Sequence, residues 1–320
     1  MRGIIKVGFF ACVCLGIIIC ALYAPLQVRF YTLTSPKIHS NIKIALLSDL
    51  HSGRFYQEQI FATLATQNPD MILMAGDMVD DKEDIQGAIE FFARLNQPPF
   101  DKIPKYYVSG NHEFWSGAII PIKQMIQAHH TIVLDRAHAA VHTSIKDNAL
   151  IIAGIDDPYV VKYDDNGHRI QKTSQEWGDW QGQWSNQVLQ TFEALDLTAC
   201  QEILDSQISP TSPISSKQSA YPQTLQILLS HRPECIKLFN QLDFDLIVSG
   251  HTHGGQVRIP FILNGLYAPN QGIFPQYVGG LYTLKDNQTL VVSRGLSLNV
   301  FLPRVFNPPE VVMIMLEPQG

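Results

Sequence analysis

Cysteine is scarce where a fold would use it. Of the five cysteines, Cys12, Cys14 and Cys20 fall in the apolar N-terminus, which leaves Cys200 and Cys235 in the body without CxxC spacing. No disulfide framework and no thiolate zinc site is indicated, and the remaining pair reads as two ordinary buried thiols. Charge is also sparse, at 16% of residues, and it lacks a basic surplus: 23 Lys and Arg against 29 Asp and Glu give a net charge of −6. Nucleic-acid domains carry cationic excess to displace counterions, so no nucleic-acid partner is expected. Any phosphate handled by this chain has to meet metal ions rather than a field of lysines. No obligate protein partner is indicated either. Apolar residues are not lacking: 46% of the 320 residues are hydrophobic, enough for one large α/β domain to bury its core.

One long uncharged run is present, at about 7–24, with Arg2 and Lys6 before it and Arg29 after it. Its length predicts a single N-terminal transmembrane helix, followed by a catalytic domain over 25–320. A cleavable signal peptide is the rival reading, disfavoured because Leu22-Tyr23-Ala24 is a poor small-x-small site and Pro25 follows directly. Arg2 and Lys6 are opposed by Arg29, Lys37 and Lys43, so the positive-inside count leaves the membrane side of the domain open.

Beyond the anchor, 27–33 alternates apolar and polar residues, Thr34-Ser35-Pro36 punctuates it, and 42–47 resumes an apolar strand, which predicts a hairpin-like start. Helical patterns at about 57–65, 83–95 and 119–128 each lie between two apolar strands, a βαβ rhythm that predicts a largely parallel sheet. After Ile132 the strands shorten and lose their intervening helices, around 139–143, 150–153, 281–284, 289–292 and 311–316. These are expected to build a second sheet stacked on the first. A polar insertion at about 159–223 ends in the Ser/Pro/Gln-rich run 206–223, whose apolar content is too low to order itself. Within it Trp177, Trp180 and Trp184 fall at i, i+3 and i+7, either packing the insertion onto the domain or forming a lid or membrane contact.

Chemistry is written at the ends of the apolar runs. Ala45-Leu46-Leu47-Ser48-Asp49, Leu73-Met74-Ala75-Gly76-Asp77, Tyr107-Val108-Ser109-Gly110-Asn111 and Leu228-Leu229-Ser230-His231 each pass through a small residue to a potential metal ligand. The fifth, Leu246-Ile247-Val248, leads into Gly250-His251-Thr252-His253-Gly254-Gly255. Five strand ends therefore deliver polar groups to one edge, where an α/β protein keeps its site. Asp49, His51, Asp77, Asn111, His112, His231, His251 and His253 offer carboxylate, amide and imidazole donors without thiolate, a set suited to Mn²⁺, with Fe or Zn²⁺ as alternatives. Two such ions with one bridging carboxylate would polarise a phosphoryl oxygen and generate hydroxide at neutral pH. Arg54 reads either as a phosphate clamp or as a solvated arginine, and Asp156-Asp157-Pro158 as an Asx-type turn rather than as an orienter of a ligand histidine.

The ordered set SDLH, GDMVD, GNHEF, SH and GHTHGG resembles the calcineurin-like metallophosphoesterases over most of 26–316, apart from the insertion. The resemblance implies two stacked mixed β-sheets flanked by helices, an αββα sandwich, with two divalent metals at the strand ends. By motif matching it implies Asp49, His51, Asp77 and His253 around one metal, and Asp77, Asn111, His231 and His251 around the other, with Asp77 bridging. His112 is implied as the non-ligand histidine that protonates the leaving group, a secondary orienting role being the alternative. GHTHGGQ together with Ser293-Arg294-Gly295-Leu296 and Asn307-Pro308-Pro309-Glu310 is similar to the membrane-anchored bacterial branch, some members of which hydrolyse UDP-2,3-diacylglucosamine in lipid A biosynthesis. The expectation is a phosphohydrolase at the bacterial inner membrane, cytoplasmic on the lipid A reading, acting on a lipid-linked nucleotide. The alternatives are another envelope or nucleotide phosphodiester, or a non-catalytic membrane scaffold.

Overall fold

The computed structural model describes residues 2–135, 140–194, 224–298 and 303–319. The N-terminal helix α1 covers Arg2–Leu22 and is followed by β1 (Gln27–Ser35) and β2 (Ile42–Leu47). The expected βαβ rhythm follows in α2 (Gln57–Gln67), β3 (Met71–Ala75), α3 (Gln86–Leu95), β4 (Lys105–Val108), α4 (Asn111–Trp115), α5 (Ile119–Ala128) and β5 (Ile132–Val133). β2, β3, β4 and β5 are parallel neighbours. Then come β6 (Ala140–Ile145), β7 (Asn148–Ile155), β8 (Leu225–Ser230) and β9 (Leu246–Ser249), and finally β10 (Tyr267–Ala268), β11 (Gly272–Ile273), β12 (Gly280–Thr283), β13 (Thr289–Val292) and β14 (Glu310–Pro318).

Among the described residues twelve of these strands form two mixed six-stranded sheets, ordered β1-β14-β2-β3-β4-β5 and β12-β13-β9-β8-β7-β6, while β10 and β11 pair with each other as a small antiparallel ladder. Strand alternation sorts the core. Ile44 and Leu46 of β2 and Leu73 of β3 meet Ile152, Ile227 and Val248 of the second sheet, while Ala45, Leu47, Ile72 and Met74 face Ile60, Phe61, Phe91 and Phe92 of the helices. The outer face of the second sheet packs Leu228, Ile247 and Leu290 on Trp184 and Val188. The layers are therefore helix, sheet, sheet, helix.

Two topological expectations are corrected. β1 and β2 do not form a hairpin, because β14 lies between them, parallel to β1 and antiparallel to β2. For the same reason the run at 311–316 belongs to the first sheet and not to the second. The cause is legible in burial: Val311, Val312, Met313 and Ile314 are all buried, on both faces of the strand, whereas β1 is half exposed throughout. A strand apolar on both faces takes an interior position, and an alternating one goes to the edge.

The anchor expected at about 7–24 is helical within α1, but among the described residues no helix is long and apolar enough to cross a membrane. Cys200 and the run 206–223 lie outside the described residues. The three tryptophans do not share one helix, because Gly178 (φ 47°) separates α6 (Ser174–Trp177) from α7 (Trp180–Ala194). Trp184 is the packing residue: it is buried and its indole N–H donates to the carbonyl of Asp156 at 3.2 Å.

The central place of β14 has a measurable consequence. Five buried apolar side chains leave the core if the strand is removed, roughly 10 kcal/mol of burial, as large as the net stability of a domain. A chain ending at Pro309 is expected to show no cooperative melt by circular dichroism. A sharp transition in that truncation would mean that β1 and β2 can pair directly.

Candidate metal centre

The ends of β2, β3, β4, β8 and β9 lie at one edge, and the turns that follow them carry Asp49, Asp77, Asn111, His231 and His251. Ligand atoms of Asp49, His51 and His253 lie within 4.8 Å of each other, and so do those of Asp77, His231 and His251. Asp77 also groups with His51 and His112, so its carboxylate stands between the two sets. His51 Nε2 is 3.2 Å from His253 Nε2, and His251 Nδ1 is 3.2 Å from His231 Nε2. A metal–nitrogen bond of about 2.1 Å puts neighbouring ligand atoms about 3.0–3.4 Å apart, so these pairs have the spacing of ligands on a shared ion.

Three further features fit a cation. Asn111 Oδ1, just past the end of β4, is a buried acceptor without a hydrogen-bond partner. Asp49 and Asp77 are 0% and 1% exposed, which leaves two carboxylates out of water at one edge. Five of the seven motif residues, Asp49, His51, Asp77, His251 and His253, have positive φ, between 46° and 71°. Each such residue costs on the order of 1–3 kcal/mol, and strain collected in this way marks a functional turn. The turns are tight enough to demand glycine beside them: at Gly76 (φ 82°) a Cβ would lie 2.6 Å from His231 Nδ1.

The imidazoles are held in defined tautomers. His231 Nδ1 donates to the Ala75 carbonyl at 2.7 Å, and His51 Nδ1 lies 2.7 Å from Asp80 Oδ2, so both present Nε2 inward. Burial, with Arg232 and His231 nearby, depresses the His251 pKa; burial, with His51 and Arg304 nearby, depresses that of His253. Both rings are therefore neutral and keep a lone pair to give. His231 behaves oppositely, since burial opposes its charge but Asp77 and Asp49 outweigh it and raise the pKa to about 10. His112 is likewise pushed up to about 9, against burial, by Asp77, Asp80 and Asp81. The carboxylates around these two rings thus favour their protonated forms.

Several contributors were not read from the sequence. Glu113, directly after His112, is fully buried and accepts from the backbone N–H groups of Asp77 (3.1 Å), Met78 (2.7 Å), Val79 (3.0 Å) and Gly110 (2.9 Å). Asp80 holds His51, and Asp81 Oδ1 holds His112 Nδ1 at 2.6 Å. Arg304 donates to the Arg294 and Ser297 carbonyls at 2.7 and 2.8 Å, closing the loop over His253. Position three or four after a motif Asp was the available signal for Asp80 and Asp81; Arg304 left none. Asp157 does form the expected turn, accepting from Tyr159 N at 2.9 Å, and it also grips Arg232 beside His231 at 2.5 and 3.1 Å. Arg54 is half exposed and paired with Glu90 at 2.8 Å, a surface ion pair rather than a phosphate clamp.

Residues 42–255 match the family model described as calcineurin-like phosphoesterase, more than half of the chain. The chain belongs to that family. It is similar to an uncharacterised metallophosphoesterase of Campylobacter jejuni (28% identity, 93% of this chain, 64% of that protein) and to one of Aquifex aeolicus (24% identity, 92% and 93%). It is also similar to a zebrafish transmembrane protein with metallophosphoesterase domain (23% identity, 88% of this chain, 54% of that protein). The chain thus spans between about half and nearly all of the length of these relatives. Among solved structures, a dimetal phosphatase from zebrafish aligns with a TM-score of 0.43 at 12% identity, over 79% of this chain and 87% of that one.

The Glu113 carboxylate is the testable keystone of the Asp77 turn. Glu113→Ala strands four buried N–H donors and is expected to lower the urea-unfolding free energy by roughly 3 kcal/mol or more. Glu113→Gln retains one acceptor oxygen and should lose less. An alanine variant as stable as the parent would show that the turn holds itself.

Proposed function

We propose that the chain is a metal-dependent phosphohydrolase acting on a phosphodiester or pyrophosphate. The observation that carries this is the convergence of two nitrogen- and oxygen-donor groups on the shared Asp77 carboxylate, with Asn111 Oδ1 unpartnered beside them. Asp49, His51, Asp77 and His253 would hold one ion; Asp77, Asn111, His231 and His251 would hold the other. Bound there, divalent ions polarise a phosphoryl oxygen and make a water acidic enough to attack near neutral pH. With no thiolate in the set, Mn²⁺ is the proposed ion, ahead of Fe and Zn²⁺.

The protein supplies orientation and a proton. The backbone N–H of His112 donates to Asp77 Oδ1 at 2.9 Å, and Asp81 Oδ1 holds the ring through Nδ1 at 2.6 Å. Nε2 is left to pass a proton to the leaving-group oxygen. A cleft of about 500 Å³ opens over His51, His112 and His253 and ends in an apolar rim at Phe55 and Leu298.

The proposed substrate class is a lipid-linked nucleotide such as UDP-2,3-diacylglucosamine, met at the bacterial inner membrane on its cytoplasmic side, with α1 as the bilayer anchor. What supports this reading is the rim: Tyr56, beside Phe55, donates its hydroxyl to the Ala24 carbonyl at the foot of α1. The wall of the cleft is thus tied to the chain that leaves α1. A similar protein described as transmembrane points the same way.

Activity on bis(p-nitrophenyl) phosphate is expected to require Mn²⁺, to vanish with chelator and to return on metal addition. Asp77→Ala should lose bound metal and activity together. His112→Ala should keep its metal by elemental analysis while kcat falls ~10²- to 10⁴-fold. Chelator-resistant hydrolysis would remove the dinuclear proposal.

A further inference from the structure

We infer that the segment 258–274 is a second bilayer contact, a pair of apolar loop tips that lie on the lipid surface beside α1. From Ile259 to Leu284 there is no charged residue, although much of this stretch faces outward. Ile259, Phe261, Ile262, Leu266, Tyr267, Ile273 and Phe274 are all exposed, Phe261 completely and Ile262 to 82%. Scattered apolar residues on a surface need no account, but a contiguous uncharged cluster does.

The backbone is built to project these side chains. Ile259 and Leu263 exchange hydrogen bonds at 2.9 and 2.8 Å, closing a turn with Phe261 at its tip. Phe261 has φ 67° and Phe274 φ 57°, a conformation that is an outlier for bulky side chains. Among the described residues both rings are largely uncovered, so little packing offsets this strain. An external apolar phase would.

That phase is identified by the neighbouring helix. Phe306 N donates to the Ala21 carbonyl of α1 at 2.7 Å, and Val305 accepts from Arg258 N at 2.9 Å, so the root of the segment and the end of α1 share one piece of chain. On α1 the side chains of Ile17, Ile18 and Ile19 are all exposed, and successive helical residues at about 100° intervals cover nearly the whole circumference. A protein groove covers one face of a helix, whereas a lipid phase can receive apolar side chains on several. The segment is also tied to the metal centre, because Leu266 N donates to the Gly255 carbonyl at 2.9 Å and Asn270 Nδ2 lies 3.0 Å from His251 Nε2. Docking the tips would hold the cleft at a fixed height over the bilayer.

This inference rests on the proposed attachment through α1, and the two are read separately. The full chain is mixed with vesicles of phosphatidylethanolamine and phosphatidylglycerol, and flotation reports attachment. An environment-sensitive fluorescent residue in place of Phe261 should shift to the blue and lose roughly half its intensity to doxyl-labelled lipid. The same residue in place of Asp147, in the β6–β7 turn at the far end of the sheets, should do neither. Phe261→Asp with Ile262→Asp should leave hydrolysis of a small soluble diester unchanged while a label at Phe274 loses its quenching. Failure to float overturns both attachment and loop contact. Flotation with a solvent-like label, or a blue shift without lipid quenching, overturns the loop contact alone, the latter in favour of a protein surface.

Discussion

Four backbone N–H groups converge on the buried carboxylate of Glu113, and the site is assembled around that convergence. Three of the donors belong to the turn after β3 and the fourth to Gly110 at the start of α4, so one side chain ties the Asp77 strand end to the Asn111 strand end. Charge-assisted bonds of this kind are roughly twice as strong as neutral ones, which is what a turn held at positive φ requires. Burial and the Asp77 carboxylate push the Glu113 pKa up to about 7, and the backbone donors act against them. The turn is stabilised by the same charge that the interior resists. Displacement of Glu113 would release Asp77, and with it the carboxylate common to both candidate ligand groups.

The parallel strand-turn-helix plan explains how much of this was legible. In that plan a ligand follows an apolar run after one or two small residues, so Asp49, Asp77, Asn111, His231 and His251 are marked by local pattern alone. The helices at 57–65 and 119–128 were equally local, since their apolar spacing needs no partner to be seen. What could not be read depends on contacts remote in sequence. Arg304 reaches the His253 loop across about fifty residues. β14 enters the sheet between β1 and β2 because it is apolar on both faces, and the Thr34-Ser35-Pro36 punctuation that suggested a hairpin records only that the chain turns. Glu113 lay inside a recognised motif, yet its partners are backbone groups, which leave no residue-type signature.

The carboxylates around the site divide into two classes by exposure. Asp49 and Asp77 are sealed, and their charge has to be met inside the protein. Asp80 and Asp81 border the cleft and use their oxygens on the outward nitrogens of His51 and His112. The Asp80 carboxyl, although burial alone would raise it, is held well below its ordinary range by hydrogen bonds from both histidines. It therefore stays ionised and keeps His51 presenting Nε2 to the interior. Inner acids fit cation neutralisation, and outer acids fit control of ring orientation.

The described part of the insertion belongs to the structure of this edge. Trp184 sits in the core of the second sheet and bonds the Asp156 carbonyl, while the Asp156 carboxylate accepts from Lys123 at 2.8 Å and from Ser109 Oγ at 2.6 Å. Ser109 is two residues before Asn111, so the helix that carries Trp184 braces the strand end that presents that ligand. The other two tryptophans are turned to a cation within the chain: Lys162 Nζ lies 4.0 Å from the Trp180 ring centre and 5.8 Å from that of Trp177. Burial and the nearby arginines lower the Lys162 pKa, and the aromatic faces are where its remaining charge is received. Rings already engaged with a lysine and with the domain core are poorly placed to enter a bilayer. The exposed apolar side chains at 259–274, a stretch without a charged residue, have no such cation contact among the described residues, and this difference separates an aromatic cluster that packs a domain from an apolar one that faces outward.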